Sequence, residues 1–140
     1  TVEATSAAGA VVSFSATASD AVAPLSPAVT CVPPSGSTFP LGVTTVNCSA
    51  TDTAGNTGNN SFTITVQDTT PPVVTVPANM TVEATGPTGA VVTFVTSATD
   101  IAPLSPAVTC VSPSGSTFPL GTTTVNCSAT DTAGNTGNNS

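Results

Sequence analysis

The sequence predicts an all-β protein made of two tandem β-sandwich domains with one disulfide each, and three observations carry that prediction. Residues 23–61, APLSPAVTCVPPSGSTFPLGVTTVNCSATDTAGNTGNNS, return as residues 102–140 with two differences, Pro33 becoming Ser112 and Val43 becoming Thr122. The offset is 79 residues here and 80 further upstream, where TVEAT at 1–5 recurs at 81–85, so one residue is lost between Asp100 and Pro103. A period that long is a small domain, not a solenoid unit, and near-identity over both core and surface positions points to a recent duplication within an array. The second observation is period-2 alternation of β-branched residues between Pro, Gly and Asn turns, with no helical periodicity. The third is a pair of cysteines at the same place in each copy.

Taken in order, strands are expected at 2–5 and 10–15, then in PAVTCV, where Val29 and Cys31 share a face. In TTVNCSAT the inward set is Val46, Cys48 and Ala50, with Asn47, Ser49 and Thr51 outward. FTITV turns Phe62, Ile64 and Val66 inward and Thr63 and Thr65 outward. The second copy adds strands at 73–76, 81–85 and 90–95. Six or seven short strands per repeat, punctuated by PPSGS, TAGN and TGNN, favour the immunoglobulin-like sandwich. Domain boundaries follow the repeat: residues 1–68, short of the first strand segment, and residues 69–140, short of the last strand.

Composition excludes most catalytic chemistry. The chain has no Lys, Arg, His, Trp or Tyr, only seven acids, and about a third of it is Thr or Ser. A general base near neutral pH is usually His or a retuned carboxylate or Lys, and nothing cationic exists here to activate a nucleophile or hold a phosphate. The expectation is a protein that is not an enzyme. A net charge of −7 with no cation repels nucleic acid, whose binding depends on Lys and Arg neutralising phosphates, and disfavours anionic membranes. No apolar run approaches the length of a membrane-spanning helix, so no membrane insertion is expected. No basic n-region opens the chain, and its start corresponds to a point after PPVVTVPANM in the second copy, so it reads as a mature fragment that begins within a repeat. The lack of Lys and Arg also removes every trypsin-type cleavage site, which suits a chain exposed to proteases, although drift in composition would do the same.

With 39% apolar residues but only five aromatics, all Phe, the core is modest, and a domain of this size gains from a staple. We read Cys31 with Cys48 and Cys110 with Cys127 as two intradomain disulfides; the alternative, a metal site, lacks both a CxxC arrangement and a histidine. Each bridge closes a loop worth on the order of 3 kcal/mol in the chain-entropy model. Disulfides also place the protein outside a reducing cytosol, extracellular or at a cell surface.

The string CVPPSGSTFPLGVTTVNCSATDTAGNTGNNSFTITVQDTTPP resembles the hyalin repeat, an immunoglobulin-like extracellular module, over essentially both copies. The resemblance rests on Cys31, the Pro-Ser-Gly turn, FPLG before a Thr-rich strand, Cys48, the ATDTAGN turn and an alternating last strand running into DTTPP. It implies a role in adhesion or extracellular architecture, in tandem arrays. Family members often carry a further Cys shortly after the AGN turn, where this chain has TGNNS, which leaves two cysteines per copy.

A sandwich short of an edge strand exposes backbone and core that invite pairing with another chain, and head-to-tail pairing of this kind generates a filament. The expected partner is therefore the chain itself, in a head-to-tail polymer whose joints are either strand complementation or a continuous polypeptide. The Pro-stiffened DTTPP limits bending between copies. Near it, Asp68, Asp100, Asp131 and Asn135 form a candidate calcium set; the alternative is that Asp131 and Asn135 only build the TAGN turn through side-chain to backbone bonds. No cofactor is required. Asn47, Asn59, Asn79, Asn126 and Asn138 each sit in N-x-S/T and are candidate sites for covalent glycans, as are the outward threonines, although such sequons arise by chance in a chain rich in Ser, Thr and Asn.

Two function classes follow: a structural repeat of an extracellular filament, fibre or stalk, and an adhesive or ligand-binding module of a large secreted or surface protein. Binding sites usually rely on aromatic or Arg anchors, and sugar platforms on Trp or Tyr. Their absence favours the structural role, although the repeated TDTAGNTGNN turns would also suit a low-affinity site relying on avidity.

Overall fold

In a computed structural model of the chain, residues 1–22, 29–103 and 107–140 are described, and they divide into two compact units, Thr1–Asp68 and Thr69–Ser140. The first residues of PAVTCV in each copy, 27–28 and 106, lie outside the described residues. Every regular element among the described residues is a strand.

The first unit holds β1 (Val2–Glu3), β2 (Ala10–Val12), β3 (Thr30–Val32), β4 (Ser37–Phe39), β5 (Gly42–Thr51) and β6 (Thr57–Gln67). One sheet runs in the order β1-β6-β5-β3 and the other pairs β2 with β4. The long β5–β6 hairpin sets the register, pairing Val46 with Phe62 and Thr44 with Ile64. That register puts the alternating apolar residues of both strands on one face, where a slip of one residue would expose them all. Val46, Ile64 and Val66 are buried from this sheet, Ala10 and Phe39 from the other, and Phe39 and Val46 are completely enclosed. β1 joins β6 in parallel, Val2 opposite Val66 and Glu3 opposite Gln67. These are the two facing layers of an immunoglobulin-like sandwich.

The second unit holds β7 (Val73–Thr75), β8 (Ala90–Val92), β9 (Ser97–Thr99), β10 (Thr109–Cys110), β11 (Ser116–Phe118), β12 (Cys127–Thr130) and β13 (Thr136–Asn139). Its sheets are β10-β12-β13, β11-β8 and β7-β9. The core centres on Val74, Cys127 and Ala129, with Val76, Ala98 and Val125 packed against it.

Short polar devices fix the connections. Ser35 in the PPSGS turn accepts from the Phe14 N–H at 2.8 Å and donates to the Phe14 carbonyl at 2.7 Å, tying the chain after β2 to the turn before β4. Ser114 accepts from the Phe94 N–H in the same way. Gly9 and Gly89 both adopt φ +108°, and a Cβ at either would collide with the carbonyl of Phe39 or Phe118. Glycine is therefore dictated at these two positions by both backbone and space.

Near-identical sequences share most strands but differ at a few. In the first unit the residues matching β9, 17–19, form no strand, whereas in the second they pair with β7. Conversely, residues 121–126 match the first part of β5 but form no strand, and β12 begins only at Cys127. The strand expected at 81–85 is also not formed: its counterpart β1 is held by the end of β6, and the second unit has no equivalent of that strand among its described residues. Burial follows suit. Phe118 and Val125 are only half-buried where Phe39 and Val46 are enclosed, and Cys48 and Ala50 are half-buried where Cys127 and Ala129 are each 3% exposed. Phe62 lies on the inner face as its alternation requires, yet is 38% exposed, resting edge-on against Phe14 with ring centroids 4.9 Å apart.

Candidate functional site

The sequence-predicted residues fall into three places: the cross-strand disulfides, the aspartate turns and the outer face of the sheets. Cys31 and Cys48 are directly opposite one another on β3 and β5, and Cys110 and Cys127 on β10 and β12, with Cα atoms 4.0 Å apart in both bridges. Each disulfide thus staples two neighbouring strands of one sheet, and does not join the two sheets as in antibody domains.

Each ATDTAGN segment closes on its aspartate. Asp52 accepts from the Asn56 N–H and from the Asn56 side-chain amide, both at 2.8 Å. Asp131 repeats this with Asn135, at 2.9 and 2.8 Å. The Asp52 carboxyl is held below its ordinary value by the Asn56 side chain first and the Asn56 N–H second. For Asp131, burial is the largest single influence and pushes upward. The Asn135 side chain and N–H, with smaller help from the Asp100 carboxyl and the Gly134 N–H, outweigh it, and the group ends below its ordinary value. A carboxyl lowered by folding stabilises the native state above its unfolded value near 3.8 and loses that contribution as pH falls through the folded value. We therefore expect Asp52→Asn or Asp131→Asn to lower the melting temperature at pH 7. The difference from the unmodified chain should shrink on acidification to pH 3 and below, as read by thermal denaturation at each pH.

Of the candidate calcium residues, Asp100 and Asp131 bring carboxylate oxygens within 4.8 Å of one another, and Asn135 is on the same turn as Asp131. The Thr132 N–H donates to the Pro103 carbonyl at 3.0 Å, holding that turn against the segment after β9. Asp68 is buried at the end of the first unit. Both oxygens of Asp131 take part in building the turn. The acids supply oxygen donors suited to calcium, which takes six to eight such ligands.

The sequon residues Asn47, Asn59, Asn79, Asn126 and Asn138 are all exposed. Asn47 lies opposite Ser61, and Asn59 opposite Ser49, so the two asparagines share the outer face of the β5–β6 hairpin. Asn138 stands opposite Ser128 on the matching face of the second unit. Among the described residues no helix is long and apolar enough to cross a membrane.

One arrangement was missed in the sequence. In the second unit the Pro72 carbonyl lies so close over Gly137 that a Cβ there would collide with it, while the Asn139 side-chain amide donates to the Val74 carbonyl at 2.7 Å. The inward-facing Gly and Asn of TGNN are thus the seat of the incoming strand β7. A glycine at an inward position of a strand is the sequence signal for such a close backbone approach.

The model of the HYR domain matches the chain twice, over residues 1–66 and 67–140. The chain belongs to the HYR domain family. Among curated proteins it is similar to Hyalin of Strongylocentrotus purpuratus, 41% identical over 104 residues, covering 71% of this chain and 9% of that protein. It is also similar to Hyalin of Lytechinus variegatus, 38% identical over 106 residues, covering 71% of this chain and 20% of that protein. The chain therefore spans a small part of the curated relatives it matches. No solved structure matches it. Two tandem HYR domains of all-β, immunoglobulin-like architecture, one disulfide in each, describe the molecule.

Proposed function

We propose that this pair of HYR domains is a structural repeat of an extracellular filament, fibre or surface stalk, in which β-sandwiches are linked head to tail. The observation that carries the reading is the near-identity of residues 23–61 and 102–140, solvent-facing positions included, in two disulfide-stapled domains. A fixed module repeated with its surface intact serves length and regular spacing, whereas a dedicated binding site needs only one copy. The disulfides support an oxidising, extracellular setting, and a chain with neither histidine nor any cationic side chain supports a role other than catalysis.

Two refinements belong to the same proposal. Glycans on the exposed asparagines, Asn47 and Asn59 foremost, would hydrate a surface with few charges. Their test is mass spectrometry of the native material before and after glycosidase treatment. Calcium held by Asp68, Asp100, Asp131 and Asn135 would stiffen the connection between repeats; it is tested by whether calcium, but not magnesium, raises the melting temperature.

Electron microscopy of native, undenatured material tests the main reading. Long filaments with an axial repeat of one or two domains are expected. Dispersed short rods would overturn it and favour an adhesive module carried on a larger surface protein.

A further inference from the structure

Two of the sequons have a bridge-forming cysteine as their middle residue: Asn47-Cys48-Ser49 and Asn126-Cys127-Ser128. Asn47 is a poor acceptor once its domain has folded, although its side chain is exposed. It lies on β5 between two neighbours, opposite Val32 of β3 and opposite Ser61 of β6. The next residue, Cys48, is tied to Cys31 directly across from it. Transfer of a glycan to asparagine needs the hydroxyl two residues on to act together with the amide, which a backbone bent in the manner of an Asx-turn permits. In an extended strand Asn47 and Ser49 point to the same side about 6.8 Å apart. Pairing on both sides and the disulfide hold them so.

The second copy repeats the arrangement. Cys127 stands opposite Cys110, and the Val111 N–H donates to the Asn126 carbonyl at 2.9 Å. The hydroxyl at the third position of this sequon is engaged as well: Ser128 and Thr109, facing one another across β12 and β10, bring their hydroxyl oxygens to 3.4 Å. Asn79-Met80-Thr81 differs in every respect. It contains no cysteine, lies in a stretch without strand pairing, and all three residues are exposed.

We infer that the two bridges gate glycan attachment: Asn47 and Asn126 accept a glycan only while their cysteine pairs are still thiols, whereas Asn79 accepts one from the folded chain. This rests on the glycan reading above and names how that modification is regulated. Two covalent steps compete for one segment. In the first, Asn47 Nδ2 bonds to the anomeric carbon of a pyrophosphate-activated glycan. The anomeric C–O bond breaks, the pyrophosphate leaves with its electron pair, and the amide gives up one proton to a base. In the second, the Cys31 and Cys48 thiols join as a disulfide and pass two hydrogens to a disulfide oxidant, which becomes a dithiol. Neither step has a head start, because Cys48 precedes the last residue of the sequon by one position. Bridging takes seconds or longer, and a chain emerging at roughly 5–20 residues per second presents the whole segment within that time. Partial occupancy at Asn47 and Asn126 beside high occupancy at Asn79 is the result.

The full chain, translated behind a secretory signal into transferase-bearing microsomes, tests the gate, with occupancy at each asparagine read by mass spectrometry. Dithiothreitol during translation should raise occupancy at Asn47 and Asn126 by about twofold or more and leave Asn79 unchanged, since bridging is the slow competitor it removes. Cys31→Ser keeps the Asn47 sequon intact and should raise Asn47 alone; Cys110→Ser should raise Asn126 alone. Asn59 lies on the same hairpin as Asn47, but with Asn60 as its middle residue, so it separates the gate from general unfolding of the domain. Occupancy of Asn47 unaffected by Cys31→Ser, a rise of Asn59 equal to that of Asn47, or the same response at Asn79 would overturn the gate. Native material with no glycan at any of these asparagines would instead remove the glycan reading, whichever way the microsome result falls.

Discussion

Phe39→Ala is expected to cost the first domain about 3–5 kcal/mol, while Phe118→Ala at the matching position of the second domain should cost distinctly less. Phe39 on β4 is completely enclosed, and Val46, Ile64 and Val66 are buried on the other sheet of the same unit. Its removal loses the transfer energy of a whole ring and leaves a cavity that surrounding strands, pinned by the β5–β6 hairpin, fill poorly. Phe118 is only partly buried and meets Phe94 edge-on with ring centroids 6.5 Å apart. Against a total stability of roughly 5–15 kcal/mol for a small domain, the first loss is enough to bring it close to unfolding at room temperature. Chemical denaturation of the two variants, followed by probes in each domain, measures the difference. Equal losses would contradict the burial contrast.

Removing the Cys31–Cys48 bridge by paired substitution with serine is expected to destabilise the first domain by about 3 kcal/mol, the entropy its closed loop withholds from the unfolded chain. For a domain of this size that corresponds to a fall of roughly 12–24 °C in melting temperature. The loop contains β4, and with it Phe39, so opening the bridge also frees the segment that delivers the largest core side chain. Calorimetry should show one transition moving and the transition of the second domain remaining in place. Reduction with dithiothreitol should move both.

Much of this arrangement is legible in the sequence because it is local. The alternation in TTVNCSAT and FTITV yields the inner and outer faces of β5 and β6, and the cysteines fall on positions that meet directly across β3 and β5. What is not legible depends on partners distant in the chain. Residues 81–85 have the same TVEAT sequence as 1–5, yet only the first copy forms a strand, because only there does the end of β6 run alongside. The parallel pairing of β1 with β6 leaves no mark in either segment. Gly137 and Asn139 read as turn residues until the backbone of Pro72 and Val74 is seen against them. The ATDTAGN motif was recognisable as a turn, and the aspartate with the asparagine four residues on is the pair that closes it.

The parallel pairing of β1 with β6 decides how the stretch between them answers to force. β1 starts at Val2 and β6 ends at Gln67, the two running side by side in the same direction. Tension applied at residues 2 and 67 slides these strands past each other, so the bonds of Val2, Glu3 and Ala4 to the end of β6 are strained together and not peeled one at a time. Once they yield, the disulfide sets a second limit. The chain between Cys31 and Cys48, separated by 17 positions, cannot lengthen, which withholds roughly 60 Å of extension at about 3.3–3.6 Å per residue. Such a domain behaves as a stiff link with a shortened tether in reserve, and stretching the oxidised and reduced forms in a single-molecule instrument would read that difference as contour length.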